Sequence, residues 1–312
     1  MWIANTGEMR ANCIYFILLL LALLSCSQGI DIKETEVSKV NISADSFIPG
    51  FFDSPQTKAT LDGYNVLWAE TDTLGIFPNS GAQVYFNTTT PGSSTTTFDG
   101  GGWGFKLSAN YYSYYPFIGD IYLDRNHSPV SFISQNQSGI NDTDLSGRCL
   151  MYTSCTSAES GSLNFQYHHL GCIIRVRATL PAGTYTRLAI TSTEDSFILD
   201  GWYDLMAVSP SITSTRMGNQ LSVGLNNVSF ETATQITVYI MSAPVDLSGL
   251  DVTVSVINSQ RTEYQQVKNP PGAYVAGTIN GMACNAMQAV PQSTNLIIED
   301  WGDGGSIGGT AE

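Results

Sequence analysis

Basic residues are scarce in this chain. Thirteen Lys and Arg stand against 27 Asp and Glu in 312 residues, for a net charge of −14. Phosphate backbones are held by clustered Lys and Arg, so the balance argues against a nucleic-acid partner. Charged residues of both signs make up only 13%, about half the usual share. The polar surface must therefore come from Ser, Thr, Asn, Gln and Gly, which suits an extracellular β-protein. Helical periodicity is also lacking: no long window repeats apolar residues at i, i+3, i+4 and i+7. Catalytic signatures are missing too, with no nucleophile elbow, metalloprotease helix, phosphate loop or dinucleotide fingerprint. Two distant carboxylates of the glycosidase type leave no spacing signature.

Metal ligands are equally few. The three His are His127, His168 and His169. Neighbours on a strand point to opposite faces, so His168 and His169 cannot share one ion from a strand. They read as a short irregular turn between "LNFQY" and "GCIIRV". Glu299, Asp300 and Asp303 lack the alternating ligands and closing Glu of a calcium loop. No catalytic residue, cofactor or metal is therefore expected.

The one long apolar run is Ile14–Leu24, "IYFILLLLALL". Spanning a bilayer takes roughly 20 residues, so this run reads as the core of a signal peptide. A start at Met9 would give it a better-charged lead-in. Leu23-Leu24-Ser25-Cys26 resembles a bacterial lipobox, which makes residues 1–25 the signal and Cys26 the acylated first residue. Cys149, Cys155, Cys172 and Cys284 then remain. Cys149 and Cys155 flank a short loop and could bridge, but buried free thiols fit as well, and the pairing is left open.

What the chain has in quantity is short strands. Runs rich in Val, Ile, Tyr, Phe and Thr recur between Gly, Asn, Asp and Pro, from Val40–Ser46 to Glu263–Val267. In "QITVYIM" Ile236, Val238 and Ile240 share one face. Val252, Val254 and Val256 do so in "DVTVSVI". Evenly spaced strands of this kind imply an all-β protein of antiparallel β-sandwiches. Length suggests about two domains. A turn-rich stretch across Asn136–Ser162 marks the boundary. "YYSYYPF", Tyr111–Phe117, reads as a core strand whose hydroxyls find partners at the rim.

Four stretches in order resemble the fimbrillin family, the type V pilus subunits of Bacteroidales. They are "QTKATLDGYNVLWAETDTLGIF" (Gln56–Phe77), "YYSYYPF", "HHLGCIIRVRATLPAGT" (ending at Thr184) and "TVYIMSAPVDLSGLDVTVSV" (Thr237–Val256). The resemblance implies two tandem transthyretin-like antiparallel β-sandwich domains and a C-terminal extended strand. The implied division is 1–25 signal, 26–58 pro-segment with a removable strand, 59–155 first domain, 156–286 second domain and 287–312 donor-strand tail.

The resemblance also implies a life history. An outer-membrane lipoprotein precursor is cut by a trypsin-like protease, here between Lys58 and Ala59. Family members more often carry Arg at the cut. The subunit then joins other fimbrial subunits head to tail in a cell-surface fimbrium. In this chain the implied donor strand carries Thr294, Leu296 and Ile298 on one face, with Ile297 and Trp301 on the other. The expected role is a structural stalk or tip subunit of an adhesive fimbria. It would touch the membrane only through the lipid anchor before processing, and its host or bacterial receptor is unassigned. The alternative is a surface-anchored glycan-binding lipoprotein that stacks sugars on Trp103, Tyr111 and Tyr112.

Overall fold

The computed structural model describes residues 36–37, 39–50, 65–78, 82–100, 105–106, 110–119, 123–140, 149–156 and 163–291. All regular elements among them are strands. In chain order the first twelve are β1 (Glu36–Val37), β2 (Lys39–Ala44), β3 (Ile48–Pro49), β4 (Thr73–Pro78), β5 (Val84–Thr88), β6 (Thr95–Asp99), β7 (Phe105–Lys106), β8 (Asn110–Tyr115), β9 (Ser128–Ser131), β10 (Gln135–Gln137), β11 (Met151–Thr156) and β12 (Leu163–His169). The rest are β13 (Cys172–Leu180), β14 (Gly183–Ser192), β15 (Phe197–Tyr203), β16 (Thr213–Gly218), β17 (Gln220–Phe230), β18 (Thr234–Ser242), β19 (Val245–Asp246), β20 (Val252–Asn258), β21 (Glu263–Lys268), β22 (Ala273–Tyr274), β23 (Thr278–Cys284) and β24 (Gln288–Ala289). The all-β expectation holds.

Seven strands close on themselves in the order β11-β12-β2-β6-β5-β4-β8. Closure leaves no free edge in this ladder. Its centre is aromatic: Trp68 meets Phe98, Tyr115 and Tyr167 edge to face, with ring centroids 5.3, 5.2 and 5.7 Å away. Such edge-to-face contacts suit the quadrupoles of the rings. Two buried tyrosine hydroxyls find partners within the barrel, whereas the buried Thr88 hydroxyl on β5 has none among the described residues. Tyr115 donates to a carboxylate oxygen of Asp72 at 2.5 Å, and the other oxygen of Asp72 accepts the Ala69 amide at 2.6 Å. Tyr114 donates to Gln83 Oε1 at 2.6 Å. Gly75 is required here, because a Cβ on it would stand 2.3 Å from the Tyr114 ring.

After Leu170 and Gly171 the chain enters a second group of sheets. A six-stranded sheet runs β10-β17-β14-β20-β21-β24, and a four-stranded one runs β18-β13-β23-β3. The alternation seen in the sequence faces the core as expected. Ile236, Val238 and Ile240 of β18 and Val252, Val254 and Val256 of β20 are all buried. β13 is buried almost throughout because it lies between β18 and β23.

Several strands from the N-terminal half complete these sheets. β3 pairs in parallel with the start of β23. β9 pairs with β15, and β10 pairs in parallel with β17. β10 also covers the edge of β18 with its side chains. Gln135 accepts from the Met241 amide and donates to the Met241 carbonyl, both at 2.8 Å. Gln137 accepts from the Tyr239 amide at 3.1 Å and donates to the Thr237 carbonyl at 2.7 Å. Two side-chain amides thus satisfy backbone groups that a missing strand would otherwise leave open.

Candidate functional site

β2 is the strand expected from "VNISADS", and its surroundings define the site. It lies between β12 and β6, parallel to the first and antiparallel to the second. Val40 and Ile42 turn inward and are buried, while Asn41 turns outward. Asn41 spans both neighbours: its amide donates to Asn164 Oδ1 at 3.0 Å, and its oxygen accepts from Thr97 Oγ1 at 3.4 Å. The strand comes early in the chain and lies upstream of Lys58, yet without it the barrel ladder would be open between β6 and β12.

Beyond Ala44 the strand ends in a clasp. The Asp45 carboxylate accepts from His168 Nδ1 at 2.6 Å and from Gln166 Nε2 at 2.8 Å. Burial alone would raise the Asp45 pKa. These two hydrogen bonds and the nearby histidines outweigh it and hold the carboxyl below its ordinary value. His169 Nε2 donates to the Asp45 carbonyl at 2.8 Å. The ring of Phe47 stacks on His169 at 3.7 Å. His169 Nδ1 is buried and has no partner among the described residues. Protonating it would place a charge there without an acceptor, and burial accordingly lowers its pKa to about 4. The two histidines lie on the end of β12 and not in a turn, because the alternation of that strand continues through them. They face opposite ways, as strand geometry requires.

The segment then reaches the second group of sheets. The Ile48 amide donates to Gly277 O, and the Gly50 amide to Ile279 O, both at 2.8 Å. A Cβ on Gly50 would stand 1.8 Å from Asn280 Oδ1, so a side chain there needs Asn280 to move.

Other candidate residues fall differently. Tyr111 is fully buried and Tyr112 half-buried, so Tyr111 offers no face to a sugar. Its ring belongs to the barrel core because β8 pairs on both sides, with β4 and β11. An open cleft of about 1020 Å³ lies instead beside Trp202, with His127, Asp200, Asn136 and Asn226 around it. His127 stacks on Trp202 at 3.7 Å. No sequence signal marks this cleft, because its residues come from separate strands and loops.

Cys149, Cys155, Cys172 and Cys284 are free thiols. Among the described residues no group of three or more His, Cys, Asp or Glu is placed to hold a metal ion. The remaining expected sites lie outside the described residues. These are Cys26, the Lys58–Ala59 junction, Trp103, and Thr294, Leu296, Ile297, Ile298 and Trp301.

No family model matches the sequence, and no curated protein matches it. Solved structures do. A candidate cell adhesion protein from Bacteroides ovatus aligns at a TM-score of 0.53 and 13% identity, over 81% of this chain and 94% of that one. One from Bacteroides uniformis aligns at 0.49 and 14% identity, over 71% and 90%. A tip fimbrial protein from Porphyromonas gingivalis aligns at 0.31 and 10% identity, over 73% and 81%. The first, with the highest score of the three, shows a shared fold. The structure thus shares its fold with a candidate cell adhesion protein of Bacteroides ovatus.

Proposed function

We propose that this chain is a structural subunit, stalk or tip, of an adhesive fimbria at the cell surface, and that it has no catalytic role. It is exported as an outer-membrane lipoprotein acylated on Cys26 and then cut after Lys58 by a trypsin-like protease. It polymerises when the C-terminal segment of one subunit replaces the lost strand of the next. The tandem transthyretin-like arrangement, with domains at 59–155 and 156–286, belongs to this proposal. In that division β12 is contributed to the barrel from the second segment.

The observation that carries the proposal is the placement of β2. A strand upstream of Lys58 supplies Val40 and Ile42 to the barrel core and keeps its ladder closed. Burying an aliphatic side chain of this size contributes roughly 1.5–3 kcal/mol. Loss of the strand would therefore leave a groove that needs a replacement. A head-to-tail contact of this kind does not close on itself, so it builds a fibre. The test is deletion of residues 292–312. Monomer that folds but forms no fibres supports the proposal, and normal fibres from the truncated chain contradict it.

The cleft beside Trp202 favours a second reading, that the surface protein binds a glycan. An aromatic face bordered by Asp200, Asn136 and Asn226 suits a sugar ring and its hydroxyls. Glycan binding by the full-length monomer, lost in Trp202→Ala, would support it. Equal binding by that variant would rule out the cleft.

A further inference from the structure

We propose that residues 294–304 of one copy occupy, in a single defined register, the path now held by residues 40–50 of another, with Glu299 on His168 and Trp301 on His169. This inference rests on the strand-exchange reading and specifies its partner atoms.

The two stretches read "VNISADSFIPG" (Val40–Gly50) and "TNLIIEDWGDG" (Thr294–Gly304). Set side by side, they agree at five positions where the structure shows a specific demand and differ at buried Val40, which meets Thr294. Asn295 falls on Asn41, whose side chain bonds to both neighbouring strands. Leu296 falls on Ile42, which is buried. Glu299 falls on Asp45, the acid held by His168 and Gln166. Trp301 falls on Phe47, the aromatic ring stacked on His169. Gly304 falls on Gly50, where a Cβ would collide with Asn280.

The spacing carries more weight than the composition. In residues 40–50 the simple alternation breaks after Ala44, and the chain returns to the interior at Phe47, an odd position. The C-terminal stretch has the same break. Thr294, Leu296 and Ile298 alternate, and the aromatic comes three residues later. An ordinary strand would place Trp301 on the wrong face. The clasp geometry places it inside.

A competing register slides the donor by two residues and puts Ile298 on Ile42. It buries more aliphatic surface, since Leu296 then replaces Val40. It also brings Trp301 onto Asp45 and leaves His168 without an acid and His169 without a ring. A buried imidazole and an Asn-bonded ladder are specific partners, and they select the first register.

The test uses full-length protein treated with trypsin and then oxidised. Asn164 lies directly opposite Asn41 in the parallel pair and is exposed. Cysteine is placed at Asn164 together with a second cysteine at Ser293, Asn295 or Ile297. The expected result is a reducible ladder of cross-linked oligomers that is strongest, by several fold, for Asn164→Cys with Asn295→Cys. A ladder strongest with Ile297→Cys or Ser293→Cys overturns the register and leaves strand exchange standing. Oligomers of the parent that no pair cross-links place the donor elsewhere and also overturn the register. Absence of any oligomer from the trypsin-treated parent overturns both readings. A charge exchange gives an independent check. Glu299→Lys should reduce oligomer yield, and adding His168→Glu should restore it. Unchanged yield in Glu299→Lys removes the acid–histidine contact from the account.

Discussion

His169 donates from Nε2 to the backbone carbonyl of Asp45 while its ring lies 3.7 Å from that of Phe47. One neutral imidazole thus holds both ends of a three-residue turn. The turn joins the strand that closes the barrel to the short strand on β23.

A pH dependence follows from this pair. The His169 pKa is lowered from 6.5 to about 4, so between these values the unfolded chain binds more protons than the folded one. Stability is full above about 6.5 and falls as pH drops toward 4, by up to about 3 kcal/mol at 1.36 per pH unit. The lowered Asp45 acts in the same direction at more acid pH, since its contribution is present above 3.8 and lost below it. Thermal unfolding of the full-length precursor across pH 4–7 should show the slope. His169→Gln should lose most of it. An equal slope in that variant would assign the effect to other groups.

Gln137→Ala should destabilise the second group of sheets. Its side chain is buried and makes two hydrogen bonds to the edge of β18. Truncation leaves a backbone carbonyl and an amide without partners, a loss of about 2–3 kcal/mol in denaturant unfolding. Asn136→Ala on the exposed side of the same strand should cost well under 1 kcal/mol.

Gly75→Ala should cost about 1–3 kcal/mol, because the new methyl group meets the Tyr114 ring and the Gln83 side chain in a packed core. Tyr114→Phe removes the bond to Gln83 but leaves the ring. Combined with Gly75→Ala it should show no rescue. Recovery of stability in the double variant would mean that the hydroxyl and not the ring resists the methyl group.

Ile42→Ala gives a prediction that depends on processing. In the precursor it removes a buried side chain from the barrel and should cost about 2–4 kcal/mol. The proposed cut after Lys58 would remove residue 42 from trypsin-matured polymer, so stability there should equal that of the parent. A persistent defect in the polymer would mean that the strand is retained.

Much of this fold is legible in the amino-acid order. The alternation in "QITVYIM" and "DVTVSVI" marks strands with the correct faces, and "VNISADS" marks β2. What stays hidden does so for physical reasons. Leu163–His169 alternates cleanly, but its two adjacent histidines resemble a turn. The edge position of β18 is concealed because Gln137 sits in, and Gln135 just before, a polar stretch that reads as a domain boundary. Nothing local reveals that side-chain amides will stand in for a strand. Barrel closure is not legible either, since it depends on β2 pairing with β12 across more than a hundred residues. The clasp is the least visible part of the site. Its acid, imidazoles and ring come from two segments that only the fold brings together. Tyr111 reads correctly as a core-strand residue, and its burial removes it from the alternative sugar platform.

The central claim is that β2 and the clasp are temporary occupants of the site. N-terminal sequencing of protein sheared from cells as surface fibres tests it most directly. The account predicts a subunit beginning at Ala59, with residues 26–58 absent from the fibre. Fibre subunits that begin at Cys26 and still carry β2 would contradict it.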